Sequence, residues 1–80
     1  MDVRQEISAF INQLCWEFGI CNPLNNIEYF LDREYYEADR FVREIFLAEE
    51  MNPDLHLSLF RQAKRKFINK FGCSEIYNPN

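Results

Sequence analysis

Eighty residues with 48% hydrophobic content, including eight Phe, four Tyr and one Trp, describe one small domain with enough apolar surface to fill a core. No apolar run approaches bilayer-spanning length, and Met1-Asp2-Val3-Arg4-Gln5-Glu6 lacks a basic stretch followed by an apolar one. The chain is therefore read as cytoplasmic, with no membrane partner. The formal net charge of −4 is unevenly spread, at −2 over residues 1–27, −6 over 28–54 and +4 over 55–80. An acidic whole disfavours nucleic acid as a partner.

Residues 3–18 carry the clearest periodicity. Val3, Ile7, Phe10, Ile11, Leu14, Cys15 and Phe18 fall on one helical face. Asp2 is placed to cap this helix with Gln5 completing a capping box, and Gly19 to end it in a left-handed turn. The opposite side holds Gln5, Ala9, Asn12, Gln13 and Trp16, with no charge between Ile7 and Trp16. Trp16 is expected to be covered by residues 20–27 or by the C-terminal tail. Homodimerisation through Gln5, Ala9, Asn12 and Trp16 is the alternative.

Asn22-Pro23 punctuates the chain, and Leu24, Ile27, Phe30 and Leu31 form a short apolar face behind an Asn25/Glu28 capping pair. A second face runs through Tyr35, Ala38, Phe41, Val42, Ile45 and Phe46. One helix over 24–50 would be about 40 Å long, too long for a domain of this size, so a break is expected near Asp32–Glu34. Met51-Asn52-Pro53 is the strongest stop, with Asn52 capping the next helix and Pro53 at its first position. Leu57, Phe60, Ala63, Phe67, Ile68 and Phe71 line that last helix, and Gly72 ends it. The expected fold is all-α: a four-helix bundle with helices over 2–18, 24–32, 34–51 and 53–71, forming a domain over 1–73. Residues 74–80 form a tail whose Ile76 and Tyr77 are candidates to fold back.

Catalytic and metal chemistry find little footing. Cys15, Cys21 and Cys73 are odd in number and wrongly spaced for zinc, so they are read as free, mostly buried thiols. His56, the lone histidine, is expected on the apolar side of the last helix, with no nucleophile in recognisable relation to it. No glycine-rich loop is present to cradle phosphate. The chain is read as a non-enzyme without cofactor.

Recognition is better supplied. At 100° per residue the third helix places Tyr36, Arg40, Arg43 and Leu47 on one outward stripe, flanked by Glu37, Asp39, Glu44 and Glu50. Tyr and Arg are enriched at interface centres. The competing use of these charges is self-pairing as Arg33–Glu37, Asp39–Arg43 and Arg40–Glu44. The segment Glu34-Tyr35-Tyr36-Glu37, with Asp32 and Asp39, resembles in a general way the acidic, tyrosine-bearing surface of small helical inhibitors of basic nuclease toxins. That analogy implies a basic protein partner, and together with the outward stripe it makes Asp32, Glu34, Tyr36, Glu37, Arg40, Arg43, Glu44 and Leu47 the expected binding residues. The last helix, with Arg61, Lys64, Arg65, Lys66 and Lys70, raises nucleic-acid binding as a further alternative, weakened by its charge being divided over two flanks.

Overall fold

The structure, a computed structural model, describes residues 2–78. The last two residues of the expected tail, 79 and 80, lie outside that range. Helix α1 spans Val3–Phe18, and a 3-10 turn over Asn22–Asn26 leads directly into the short α2, Ile27–Leu31. Strand β1, Tyr35–Glu37, precedes α3, Ala38–Ala48; then come α4, Leu57–Phe71, and strand β2, Glu75–Tyr77. The four expected helices are present, but the architecture is a helical domain with a two-stranded sheet and not a pure bundle.

Helix α1 forms where its periodicity places it. Asp2 accepts a hydrogen bond from the Arg4 amide at 3.0 Å, and Gly19, at φ 71°, closes the helix in the left-handed region. There the Gly19 amide donates to the Cys15 carbonyl at 3.0 Å and the Ile20 amide to Leu14 at 3.4 Å. This reversal carries residue 21 back beside the last turn, and Cys15 and Cys21 are joined in a disulfide with their Cα atoms 4.4 Å apart. The reading of three free thiols is thus corrected: only Cys73 is free, and it is exposed. Sequence spacing does not reveal that a left-handed cap folds a six-residue separation into bonding range. A disulfide persists in oxidising compartments and is reduced in the cytosol, so the pair bears directly on the expected location.

The third helix begins four residues later than the periodicity suggests. Tyr35–Glu37 is extended and pairs antiparallel with β2 in the register Tyr35↔Tyr77, Tyr36↔Ile76 and Glu37↔Glu75. The Ala38 amide donates to the Ser74 carbonyl and the Asn78 amide to the Glu34 carbonyl, both at 2.8 Å. Residues 75–77 are therefore a strand built into the fold. Alternation sends Tyr36 and Ile76 inward, while Tyr35 and Tyr77 meet on the other face as a tilted pair with ring centroids 4.9 Å apart. Glu37 then caps α3 by accepting from the Asp39 amide.

Phe41 of α3 is the centre of the core. Its ring meets those of Tyr36 at 5.1 Å, Phe30 and Phe67 at 6.0 Å, and Phe10 at 6.3 Å. One aromatic cluster thereby ties α1, α2, β1, α3 and α4 together. Edge-to-face and tilted pairs of this kind add to the area each ring buries. Among the described residues, no polar or charged side chain belongs to the buried core except the tyrosine hydroxyl of Tyr36.

Helix α4 also starts late. Asn52 accepts from the Asp54 amide through its side chain, and from Leu55 and His56 through its carbonyl, which makes residues 52–56 a turn. His56 flanks the helix start in an exposed position; it does not face the apolar side as expected. Of the expected α4 core face, Phe60, Ala63 and Phe67 are buried and Phe71 is half-buried, but Leu57 and Ile68 stand 43% and 36% exposed. Gly72, at φ 75°, ends the helix. No described helix is long and apolar enough to cross a membrane.

Candidate functional site

The face shared by α2, the 32–34 connection and α3 is built on side chains with short local reach. Burying Phe30 and Leu31 on one side of the five-residue α2 turns Tyr29 outward, where it is 61% exposed. Arg33 then lies over three rings, 5.1 Å from Tyr29, 5.6 Å from Phe30 and 5.8 Å from Phe41, while its guanidinium bonds the Glu44 carboxylate. Guanidinium over aromatic faces combines packing with charge. Arg33 and Glu44 thus form a bridge across the face, with a groove on each side.

One groove, about 430 Å³, is lined by Arg33, Tyr35, Tyr36, Glu37, Arg40, Phe41 and Glu44. The other, about 340 Å³, runs between Tyr29 and Leu47 with Asn26, Phe30, Glu44 and Ala48 along it. Leu47 is 59% exposed. An apolar slot edged by a tyrosine and a leucine therefore adjoins a polar slot holding a guanidinium, that of Arg40, which makes no ion pair with any described residue.

The eight residues expected to bind a partner do not all reach this face. Arg40, Glu44 and Leu47 line its grooves, and Glu37 lines the polar one while capping α3. Tyr36 lines the polar groove from within but does not stand on an outward helical stripe. It is 1% exposed, and its hydroxyl donates toward the carbonyls of Phe30 at 2.9 Å and Leu31 at 2.8 Å. The projection that put it outward assumed a helical period for a residue that sits in a strand. Arg43 turns toward α4, its guanidinium 5.0 Å from the Phe60 ring and 3.2 Å from Asp39. Asp32 is bound by Arg4 of α1, which also holds Glu28 at 3.1 Å, while Glu34 is exposed. Of the three expected self-pairs only Asp39–Arg43 forms; Arg33 takes Glu44 instead of Glu37.

Tyr29 and Arg33 were not among the expected binding residues. Tyr29 was legible: on a helix whose apolar face is Ile27, Phe30 and Leu31, the tyrosine between them must face away. The stacking of Arg33 depends on where α3 packs and has no local signature.

The second expected surface is assembled as expected in one respect and corrected in another. Gln5, Ala9, Asn12 and Trp16 are all exposed along α1. Trp16 is 90% exposed, however, and neither the 20–27 segment nor the C-terminal strand covers it. The disulfide ties residue 21 to the side of α1 that carries Cys15, and β2 packs against β1 instead.

The titratable groups are tuned by structural pairing. The hydrogen bond from Tyr35 to Glu75, 2.8 Å long, pushes the Tyr35 hydroxyl up to about 12. Burial raises Tyr36 against the opposing effect of Arg33. Partial burial works against ionisation of Asp39, but hydrogen bonds from Lys64 and Arg43 outweigh it and hold the carboxyl below its ordinary value. A hydrogen bond from Lys66 lowers Glu17 likewise. None of these groups opens onto the α2–α3 grooves as a base beside a nucleophile. Among the described residues no three His, Cys, Asp or Glu side chains are grouped to hold a metal ion. What the face offers is apolar contact, hydrogen bonding and charge.

Comparison with protein-family models, with curated proteins and with solved structures returned no match.

Proposed function

We propose that this chain is a protein-binding module that receives a basic partner on its α2–α3 face. The observation that carries the proposal is the pair Tyr29 and Leu47, 61% and 59% exposed, standing on either side of an apolar groove. Large apolar side chains beside a groove provide anchors of the kind that dominate interface energies. They lie within the stretch 28–54, whose formal charge is −6. That charge accelerates encounter with a cationic surface and disfavours acidic competitors. Neutralisation of a basic toxin, as small acidic helical inhibitors perform it, is the concrete form of this role, with Tyr29 in the place first assigned to Tyr36.

The test is affinity capture from native lysate at low salt with the wild-type chain and with a Tyr29→Ala/Leu47→Asp variant. A basic protein retained by the wild type and lost from the folded variant is the expected result. Identical capture by both, or capture of nothing by the wild type, removes the proposal.

A second reading rests on Trp16, whose exposure on the uncharged side of α1 suits self-association. Sedimentation equilibrium at micromolar concentration decides it: a dimer lost on Trp16→Ser supports this face, and a monomer rejects it.

A further inference from the structure

Helix α4 carries five cations, and the structure divides them. Lys64 bonds Asp39 of α3 at 3.2 Å, Lys66 bonds Glu17 of α1 at 2.7 Å, and Lys70 bonds Glu6 of α1 at 3.1 Å. Arg61 and Arg65 make no ion pair among the described residues, although the chain as a whole is acidic. Both are exposed and line the same two shallow grooves, of about 410 and 280 Å³, with Leu57, Ser58 and Gln62 at one end and Ile68 at the other. Projected at 100° per residue, Leu57, Ile68, Arg61, Arg65, Ser58 and Gln62 occupy one continuous outward arc of α4, opposite Phe60, Ala63 and Phe67. No acidic residue occurs in the whole of Leu55–Phe71.

We propose that this arc is a second interaction surface, and that it takes an acidic amphipathic segment of another protein. Two arginines one helical turn apart, about 6 Å along the axis, match carboxylates spaced one turn apart on a facing helix. Leu57 and Ile68, half-uncovered at the two ends of the arginine pair, supply the apolar contact that such a segment's other face requires. Arginine is also the cation that loses least on leaving water, which suits it to an interface. Nucleic acid is the weaker fit. Two unpaired cations neutralise few phosphates, the three lysines are already engaged, and the net charge of −4 repels a polyanion at longer range. A short acidic segment meets only the local patch. This surface is independent of the α2–α3 face, whose grooves are lined by arginines and glutamates in equal number.

The experiment uses the full chain and a synthetic helical peptide carrying leucines with glutamates one turn apart, followed by titration calorimetry and amide chemical-shift mapping. Saturable binding with shifts confined to the outward side of residues 57–69 is expected. Arg61→Gln and Arg65→Gln should each weaken it roughly tenfold, about what loss of one charge-assisted pair produces. Lys70→Gln, which removes the same charge from a lysine bonded to Glu6, should leave binding unchanged. Four results overturn the proposal: no saturable binding; equal binding by the arginine variants; tighter binding of a DNA duplex than of the peptide; or sedimentation showing self-association that the arginine variants abolish. The last would make a second copy of this chain the occupant.

Discussion

Replacing Tyr36 by phenylalanine removes one oxygen atom from the middle of the molecule while keeping the ring that packs on Phe41. The hydroxyl is completely enclosed and serves the carbonyls of Phe30 and Leu31 at 2.9 and 2.8 Å. Both carbonyls belong to the last turn of α2, where a helix has no amides of its own left to donate. The single proton is shared, so about one hydrogen bond is lost, worth roughly 0.5–1.5 kcal/mol net, and a carbonyl is left dry at about 1–3 kcal/mol. These costs overlap, and about 2 kcal/mol is the reasonable total. For a domain of this size that lowers Tm by roughly 8–16 °C, measured by far-ultraviolet circular dichroism. Had Tyr36 occupied the outward stripe of α3, the same change would alter stability by no more than about 0.5 kcal/mol. A Tm within about 3 °C of wild type, on the same scale of degrees per kcal/mol, therefore refutes the placement of Tyr36 and the strand that imposes it.

The Cys15–Cys21 disulfide closes a separation of six residues, for which chain entropy alone gives about 2 kcal/mol, so reduction or Cys15→Ser/Cys21→Ser should lower Tm accordingly. Thiol titration of the native protein should find one reactive group, Cys73; three would remove the disulfide. Trp16, the sole tryptophan, should emit at a water-like wavelength and be quenched freely by iodide, and Trp16→Ser should leave Tm unchanged; a blue-shifted, protected signal would mean that something covers it. Asp39 is held below the ordinary carboxyl value of 3.8, so the stability it contributes is complete above that pH and is lost as pH falls through the lowered native value. Tyr35 is shifted from 10.0 to about 12, so its contribution is complete below pH 10 and lost between the two values. Urea unfolding across both pH ranges, with Asp39→Asn and Tyr35→Phe as controls, should show each variant flattening its own limb of the profile.

What could be read from the chain is what its local chemistry decides. Helix α1 needed only its own apolar spacing, Asp2 and Gly19, and the α3 core face Ala38, Phe41, Val42, Ile45 and Phe46 is buried as its periodicity implies. The misplacements share a different cause. Tyr35 and Tyr36 continue the helical period of α3, and they become a strand only because Glu75–Tyr77, forty residues away in sequence, returns to pair with them. A local window cannot register that competitor. Residues 53–56 read as a first helical turn because Asn52-Pro53 is a good helix start, yet the Asn52 carbonyl is spent on a tighter turn. The exposed Leu57 and Ile68 follow from geometry: they sit at the margin of the α4 apolar face, and α1 and α3 do not reach far enough to cover them. The candidate α2–α3 face was half legible for the same reason. Arg40, Glu44 and Leu47 depend on α3 alone, whereas Arg33 depends on the packing of α2 against α3.

The charge polarity of the chain is not what orders its helices. The opposed charges of α3 and α4 meet in one direct instance, Lys64–Asp39, and the other two bonded lysines of α4 reach α1. The acids of the middle stretch are met mainly by Arg33, Arg43 and, from α1, Arg4. These pairs are largely exposed, and exposed pairs contribute about 0–1 kcal/mol each. Phe41 and the rings around it bury far more free energy than the whole set. Electrostatics is thus a minor part of what holds the fold, and the charges without an ion pair among the described residues include Glu34, Arg40 and Glu50 in the middle stretch and Arg61 and Arg65 on α4. On α4 the two arginines without an ion pair share one outward arc with the part-exposed Leu57 and Ile68, and that local arrangement, not the charge of the chain as a whole, is what the proposal of an acidic segment rests on.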